Sequence, residues 1–388
     1  MTPRRVCFVV ENLLAAGTEL WLSRMIESLD RRLVEPTLVL TDGSQNVARL
    51  VASCDCPTLV LGLRTLKSAK LPQAMWRLAR FLRQHAVEVV QVHHADPTYL
   101  AVPIARICRV PSVVQTKYDA GYWLRGADLR LHRMLRRWIH VTIANCHACR
   151  AAAIEQERAP ASQVVVMDNG IDMENLLALD PPSVESIGSH PRIGMMANLR
   201  PIKDPHSLVS AALLLDDLRN CEFRLAGDGE LRRELQKRID AAGAGTAIRL
   251  LGSVESVHEF WRDVEIGVLC SRSEGLPHAL IEGMAAGRAM IATRVGGNSE
   301  IIEDGVTGVL IDAGDPTALA AAIRRLVGHP DEALRMGQAA REAVASRFQL
   351  EAMFRRFEDF YQRLPATSSA LPAPRAALEQ EHSTASAP

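Results

Sequence analysis

Three charged residues in the second half of the chain, Lys203, Glu274 and Glu282, are of the types and at the spacing that bind a phosphorylated ligand. Glu274 follows Val264–Cys270, a short apolar run typical of a buried parallel strand. Glu282 lies eight residues after Glu274, in the early turns of a predicted helix. At a rise of ~1.5 Å per residue, the two carboxylates can flank a ligand of nucleotide length.

The helix between the two glutamates offers backbone amides to phosphate. Pro277 suits its first turn, where the missing N–H costs nothing, and Gly287 suits the residue just beyond its end. The free amides near Leu276 and Pro277 are therefore expected to contact the phosphates of the ligand.

Lys203 has a corresponding place after an earlier strand. The predicted strand Arg192–Ala197 ends before it, and Asp204 and Pro205 suit the N-cap and first position of the next helix. A lysine is usually only a solvated surface residue. Here the position beside a helix start, in the same domain as Glu274, favours a role in binding a diphosphate.

Lys203 and Glu274 can lie close together if the strands before them are parallel strands of one sheet. Strand and helix patterns do alternate along the chain, as such a sheet requires. The alternation predicts two α/β domains of doubly wound parallel sheet, residues 1–180 and 191–349. Turn-forming residues between Asp180 and Pro191 indicate the connection. Ligands of such sheets bind beyond the carboxyl ends of the strands, so the cleft between the domains is the expected site. The tail, 365–388, is predicted to be disordered.

Composition is that of an ordinary globular protein. Of its 388 residues, 48% are hydrophobic and 23% charged, and the formal net charge is zero, which gives no reason to expect a nucleic-acid partner. No signal peptide is visible, and no apolar run reaches the ~20 residues that span a bilayer. The eight cysteines are scattered and match no zinc spacing, so we expect reduced thiols and a cytoplasmic location.

Two nucleotide-dependent classes are disfavoured by the loop after the first predicted strand. Gly17 there permits close approach of a ligand, and with Thr18 it precedes a helix start. The pattern Gly-x-Gly-x-x-Gly is absent, which disfavours a nicotinamide-dependent oxidoreductase. A Gly-Lys-Ser/Thr phosphate loop is absent as well, which excludes a P-loop NTPase.

From residue 5 to residue 364 the chain resembles the family 4 glycosyltransferases, retaining enzymes of the GT-B fold that use nucleotide sugars. The Glu-x7-Glu element is the specific mark, and the others support it. The marks are Gly17-Thr18-Glu19, Asn169-Gly170-Ile171-Asp172, Lys203, Ala226-Gly227-Asp228-Gly229, Glu274-x7-Glu282 and Val295-Gly296-Gly297-x-x-Glu300.

The resemblance implies roles for these residues. It places Glu274 beside the donor sugar, Glu282 on the ribose hydroxyls and Lys203 on the diphosphate, with Gly17 and Thr18 also on the donor side. It further implies that the last helix, residues 350–364, returns to the first domain.

The chain departs from the family pattern at two places. Asn198 stands where many members have an arginine, and Arg200 is the nearby replacement on the catalytic and donor side. Tyr118 stands where many members have a histidine. His93 and His94, in the preceding loop, and Asp119 are therefore the remaining acceptor-side candidates.

The implied reaction is sugar transfer from a UDP- or GDP-sugar to a glycan or lipid-linked acceptor in polysaccharide or glycolipid biosynthesis. No Asp-x-Asp motif follows a strand, so we expect turnover without a metal and no cofactor. Electrostatic help to the leaving diphosphate is assigned to Lys203, Arg200 and the amides of the helix start. Two alternatives stay open: a nucleotide-sugar-binding scaffold without activity, and a sugar-nucleotide epimerase on the same fold.

A basic stretch of the first domain suggests attachment to an anionic membrane at its inner face, which would suit a lipid-linked acceptor. The alternative is a packed helix with a solvated basic face. The residues are Trp123, Leu124, Leu131, Leu135 and Trp138, interleaved with Arg130, Arg133, Arg136 and Arg137.

Overall fold

A computed structural model describes residues 2–13, 17–45, 48–215, 218 and 220–365. The described residues form two compact units. One contains the residues up to Gly170 together with those from Glu351 onward, and the other contains Ile171–Leu350. Disorder was predicted for residues 365–388, and of these only Pro365 belongs to the described residues.

The first unit is built on a seven-stranded sheet in the order β3-β2-β1-β4-β5-β6-β7, and all of its strand pairs are parallel. The strands are short, and all but the two edge strands are almost wholly buried, as expected for a sheet covered on both faces. They are β1 Arg4–Val10, β2 Val34–Leu40, β3 Thr58–Val60, β4 Val89–His93, β5 Ser112–Lys117, β6 Val141–Ala144 and β7 Val164–Val166.

Six helices connect these strands, and the last helix of the chain packs on the same unit. They are α1 Gly17–Ser28, α2 Ala48–Ser53, α3 Leu71–Gln84, α4 Ala95–Ile107, α5 Gly126–Leu135, α6 His147–Glu155 and α16 Leu350–Arg363. Met353, Phe357 and Tyr361, predicted to share one face of α16, are all buried. The Tyr361 hydroxyl donates to Gln91 Oε1 at 2.7 Å, which fastens α16 to β4.

The second unit repeats the plan with six parallel strands in the order β10-β9-β8-β11-β12-β13. The prediction of two doubly wound parallel sheets is therefore confirmed. The strands are β8 Arg192–Met196, β9 Glu222–Ala226, β10 Ile248–Gly252, β11 Ile266–Leu269, β12 Ala289–Thr293 and β13 Val309–Ile311.

Nine helices accompany this sheet among the described residues. They are α7 Glu174–Leu177, α8 Val184–Ser189, α9 Pro205–Leu213, α10 Arg232–Ala241, α11 Val257–Arg262, α12 His278–Ala285, α13 Asn298–Ile301, α14 Pro316–Gly328 and α15 Pro330–Arg347. The segment predicted as an irregular connection contains α8, whose Ser183 and Ser186 form a reciprocal capping box. Ile187 of α8 is buried in the core of the second unit, so this segment is part of that unit.

Candidate active site

The charged residues of the second unit lie at the place where its sheet changes direction. Strand order runs outward from the neighbouring strands β8 and β11, so the connections that follow these two strands diverge. Such a switch point is where open α/β sheets bind ligands. Lys203 follows β8 and Glu274 follows β11, so the topology brings together two residues that are 71 positions apart.

Lys203 and Glu274 form a direct ion pair. Lys203 Nζ donates to Glu274 Oε1 at 2.6 Å and to Oε2 at 2.8 Å. Ser271 Oγ donates to the same Oε1 at 2.6 Å, which fixes the carboxylate. The side chain of Glu274 is 6% exposed and that of Lys203 is 27% exposed, so the cation forms the solvent-facing side of the pair.

A short 3₁₀ turn that ends in a left-handed residue positions Lys203. Pro201–Lys203 forms a 3₁₀ turn, and Asp204 follows with φ of 45°, a conformation that costs a non-glycine residue energy. Asp204 accepts from Ser207 Oγ at 2.9 Å and from Arg272 Nε at 3.1 Å. Asp204 does precede α9 as expected, but its side chain accepts no backbone N–H of the helix, so its predicted N-cap hydrogen bond is not formed.

Gly296 explains why a Gly-Gly sequence stands after β12. Its φ is 51°, and a Cβ built on it would lie 2.0 Å from the carbonyl oxygen of Glu274. The amide of Gly297 donates to the carbonyl of Gly275 at 3.0 Å. The loop after β12 therefore supports the backbone of Glu274, which only a glycine at position 296 allows.

The other donor-side candidates lie on the same edge of the sheet, at the ends of β8 and β11. Asn198 and Arg200 are exposed in the loop after β8, whereas Leu276 and Pro277 are buried after β11. Helix α12 begins at His278, with Pro277 as its N-cap residue rather than within its first turn. Glu282 is half-buried in α12. Gly287, with φ of 73°, follows the helix end as predicted.

The first unit has a corresponding switch point between β1 and β4. Gly17 and Thr18 are the first two residues of α1, the helix that follows β1. Gly17 is exposed, and Thr18 Oγ1 donates to Glu19 Oε2 at 3.2 Å. His94 follows β4, and its Nε2 lies 3.4 Å from Glu19 Oε1. Ala16, which precedes this helix start, lies outside the described residues.

His93, His94 and Tyr118 form an aromatic cluster at the carboxyl ends of β4 and β5. His93 Nδ1 and the Tyr118 hydroxyl are 2.8 Å apart, and the rings of His94 and Tyr118 are 5.6 Å apart. Asp119 instead stabilises its own loop, because it accepts from the Gly121 amide at 2.6 Å and from Trp123 Nε1 at 3.0 Å.

The surroundings of the two neighbouring histidines shift their pKa values in opposite directions. Burial lowers the pKa of His93 to about 3, and the charge of His94 adds to this effect. Burial also acts to lower the pKa of His94, but the hydrogen bond and charge of Glu19 outweigh it and raise that pKa above its ordinary value. His93 is thus neutral, and His94 is a candidate cation. Glu19 was not among the predicted site residues, although an acid in the first turn of the helix after the first strand was a usable signal.

Two family models match the chain in succession: the Glycosyltransferase Family 4 model over residues 15–175 and the Glycosyl transferases group 1 model over residues 180–343. The chain belongs to family 4 of the glycosyltransferases, as its motifs predicted. It is a glycosyltransferase, and its function lies in glycan or glycolipid biosynthesis.

Two characterised relatives cover most of the chain. N-acetyl-alpha-D-glucosaminyl L-malate synthase of Bacillus anthracis is 25% identical over 294 residues, which are 74% of this chain and 77% of the relative. The UDP-Gal:alpha-D-GlcNAc-diphosphoundecaprenol alpha-1,3-galactosyltransferase of Escherichia coli is 22% identical over 328 residues, 79% and 82% of the two chains.

Solved structures share the fold. The protein Alr3699/HepE of Anabaena in complex with UDP superimposes with a TM-score of 0.79 at 21% identity, over 93% of this chain and all of the other. Its complex with UDP-glucose gives the same TM-score at 20% identity. The chain therefore has the GT-B fold.

The basic stretch of the first unit packs its apolar residues inward. Leu124 and Leu135 are buried, and Leu131 and Trp138 pack against the core of the unit. Leu124 and Leu135 are thus unavailable for insertion into a bilayer, whereas Trp123, Leu131 and Trp138 are half-buried. Attachment to an anionic membrane stays a prediction. Within the described ranges, no helix has both the length and the apolarity needed to cross a membrane.

The sequence led us to expect turnover without a metal ion and cysteines in the reduced state. In the described part of the chain, no three His, Cys, Asp or Glu side chains are grouped to hold a metal ion. None of the eight cysteines forms a disulfide, and Cys146 Sγ accepts the Cys149 amide at the start of α6.

Proposed function

We propose that the protein transfers a sugar, with retention of anomeric configuration, from a UDP- or GDP-sugar to a glycan or lipid-linked acceptor. The Lys203–Glu274 pair at the switch point of the second sheet carries this proposal. Support for the donor class comes from the solved relative, whose complexes hold UDP and UDP-glucose. Support for a lipid-linked acceptor comes from the name of the Escherichia coli relative.

The geometry of Lys203 suits a diphosphate ligand. An ammonium group has three N–H donors, and Glu274 accepts two of them. The third is left for a phosphate oxygen. Arg200, exposed three residues earlier, and the amides at the start of α12 supply further positive potential to the same edge of the sheet. As the sugar–phosphate bond breaks, this potential stabilises the growing negative charge on the leaving diphosphate.

Glu274 and Glu282 fix the two ends of the donor in this proposal. Glu274 lies beside the sugar, and hydrogen bonds from Lys203 and Ser271 hold its carboxylate in place. Glu282, half-buried further along α12, binds the ribose hydroxyls as a charged acceptor. The acceptor-side residues are His93, His94 and Tyr118, with His94 and its partner Glu19 as the pair that handles a proton.

A thermal-shift panel tests the donor assignment. Purified protein is heated with UDP, GDP and their common sugar conjugates, and the matching donor is expected to raise Tm by mass action. Glu282→Ala should weaken donor binding by about 10- to 150-fold, the loss expected for one charged hydrogen bond of ~1.5–3 kcal/mol. Glu259→Ala, on α11 of the same unit, is the matched control. No stabilisation by any nucleotide or nucleotide sugar would refute the assignment.

Product analysis with the selected donor tests the reaction. Transfer or slow donor hydrolysis supports the transferase, an epimerised donor points to an epimerase, and binding without turnover points to a scaffold. The anomeric proton coupling in the NMR spectrum of the product reports retention. Activity unchanged by EDTA is the result expected for metal-independent turnover.

Membrane association is a separate part of the proposal, and it rests mainly on charge because Leu124 and Leu135 are buried. Arg130 and Arg137 are exposed on the basic face of the first unit. Sedimentation with anionic and neutral vesicles at low and high salt measures this attraction. Equal recovery in the supernatant with both lipids would remove the inner membrane face from the proposed cytoplasmic location.

A further inference from the structure

A cavity of about 490 Å³ lies at the opposite edge of the first sheet from the His94–Tyr118 cluster. It is lined by residues just before β6 and β7, such as His140 and Gln163, whereas His94 and Tyr118 follow the carboxyl ends of β4 and β5. Its volume is within the range of small-molecule pockets, about 300–1,000 Å³. None of the donor-side or acceptor-side candidates lines it.

Four arginines line this cavity: Arg133, Arg136, Arg137 and Arg158. They come from the end of α5, the 3₁₀ turn Arg136–Trp138 and the loop after α6. Guanidinium groups bind phosphate through paired hydrogen bonds, so several of them around one cavity form a surface suited to a phosphorylated ligand.

The acid in the wall, Glu157, makes its hydrogen bonds to Lys117 and His132, and its charge acts on Arg136 without a direct contact. Its Oε1 accepts from Lys117 Nζ at 2.5 Å, and its Oε2 is 2.9 Å from His132 Nε2. Burial acts to raise the pKa of Glu157, but the hydrogen bond from His132 and the charge of Lys117 prevail and lower it to about 2. The carboxylate is therefore ionised and already paired, and the cavity keeps an excess of positive charge.

Arg136 is a buried cation that uses only neutral acceptors. Its side chain is among the buried charged groups, 6% exposed. Nη1 donates to the carbonyl of Ile139 at 3.1 Å and Nη2 to Gln163 Oε1 at 2.9 Å, whereas Nε has no partner among the described residues. Burial lowers the pKa of Arg136 to about 10. A buried charge without a contacting counterion is costly, and an anion in the cavity would offset that cost.

His140 adds a neutral donor to the same wall. Its Nδ1 accepts the backbone amide of Val113 at 2.7 Å, so the proton of the neutral imidazole is on Nε2. Burial and the charges of Arg106 and Arg136 lower its pKa, which keeps it neutral.

We propose that this cavity is a second ligand site, distinct from the donor site, that binds a small molecule bearing a phosphate group. The group comes either from a free phosphorylated metabolite or from the headgroup of an anionic phospholipid. Both present the same oxygens to Arg133, Arg136 and Arg137, and the two sources are distinguished by experiment.

The test titrates inorganic phosphate into the 388-residue protein by calorimetry. The double variant Arg133→Ala/Arg137→Ala is expected to weaken the Kd by about 10-fold or more, since it removes charged hydrogen-bond donors. Arg130→Ala, on the same helix but outside the cavity, should leave the Kd unchanged. Lys203→Ala should leave this binding intact, which separates the cavity from the donor site. Arg158→Ala serves if the double variant does not fold.

Vesicles of phosphatidylcholine with and without phosphatidate form the second arm. Soluble phosphate bound by wild type and lost in the double variant indicates a free metabolite. Binding confined to phosphatidate vesicles, and lost in the same variant, indicates a lipid headgroup. Binding that is absent in both arms, or phosphate binding in the calorimeter that is equally weakened by Arg130→Ala, overturns the proposal.

Discussion

The two sheets place an acid–base pair at the same topological position, but the two pairs differ in chemistry. In the second unit, Lys203 follows β8 and pairs with Glu274 after β11. In the first unit, Glu19 follows β1 and pairs with His94 after β4. Each pair spans the two central strands from which the sheet order diverges.

The difference between the pairs lies in the base and in the distance. Lys203 makes two hydrogen bonds to Glu274, at 2.6 and 2.8 Å, and Ser271 adds a third to the same carboxylate. His94 and Glu19 are 3.4 Å apart. Only the histidine pair contains a group that ordinarily titrates near neutral pH. The fold thus places a charged pair at the switch point of each sheet. The residue types then decide whether that pair is suited to binding an anionic ligand or to exchanging a proton.

The largest effect is expected from Gly296→Ala, which tests how rigidly the second pair is supported. The new Cβ would lie 2.0 Å from the Glu274 carbonyl oxygen, so the loop carrying Glu274 must shift. The left-handed backbone of residue 296 and the overpacking together should lower the free energy of unfolding by about 2–4 kcal/mol. The shift of Glu274 should also lower kcat/KM. Thermal unfolding and donor kinetics measure both effects.

Gly314→Ala is the matched control for that substitution. Gly314 also has a positive φ, 77°, but nothing lies within 4 Å of its Cβ position. The Gly314→Ala variant should lose only about 1 kcal/mol of unfolding free energy, and its donor kinetics should be unchanged. Equal effects of the two substitutions would show that the contact with Glu274 is unimportant.

The Lys203–Glu274 pair itself should give the next largest effect. Lys203→Ala leaves the buried carboxylate with only the Ser271 hydroxyl, and it should lower kcat by about 10- to 150-fold. In a double-mutant cycle with Glu274→Gln, the stability losses should be less than additive, because either change breaks the pair. Near wild-type kinetics of Lys203→Ala would dispose of its catalytic role.

A surface ion pair of the same unit provides the comparison. Arg294 and Asp304 are 2.7 Å apart, and both are about half exposed. Arg294→Met should therefore cost under about 1 kcal/mol and leave kcat unchanged. A comparable loss at both pairs would mean that burial of Glu274 adds nothing.

The sequence was sufficient to predict both sheets and the strand ends that carry Lys203 and Glu274. Continuous apolar runs mark buried parallel strands, and residues after such strands must lie at the carboxyl edge. The direct contact between the two side chains was not predictable in this way, because it depends on β8 and β11 being neighbours and on the left-handed turn at Asp204.

Helices α8 and α15 were not predicted, because the hydrophobic periodicity of a helix is weak in both segments. Turn-forming residues obscured α8, which is held by its capping box and by a single buried Ile187. Helix α15 buries several small residues, and its Gly337 lies so close to the Gly287 carbonyl that a Cβ would be 2.2 Å from it. Close backbone packing of this kind leaves only a weak hydrophobic pattern in the sequence.

The smallest effect concerns the pH dependence of the first pair. Glu19 raises the pKa of His94 above its unfolded value, against the effect of burial. The stabilisation is therefore present below about pH 6.5 and is lost as the pH rises through the folded-state pKa. Glu19→Gln should lower Tm at pH 6 by only about 1–3 °C, because the pair is partly exposed. It should have less effect at pH 9, because His94 is then neutral and the ion pair is lost.

Glu27→Gln, an exposed change on the same helix, controls for the loss of one negative charge. It should lower Tm equally, if at all, at the two pH values. An NMR titration of the His94 ring gives the direct comparison: its pKa should fall in Glu19→Gln and stay unchanged in Glu27→Gln. If both variants left the His94 titration unchanged, the first unit would hold no proton-exchanging pair, and the contrast between the two switch points would be lost.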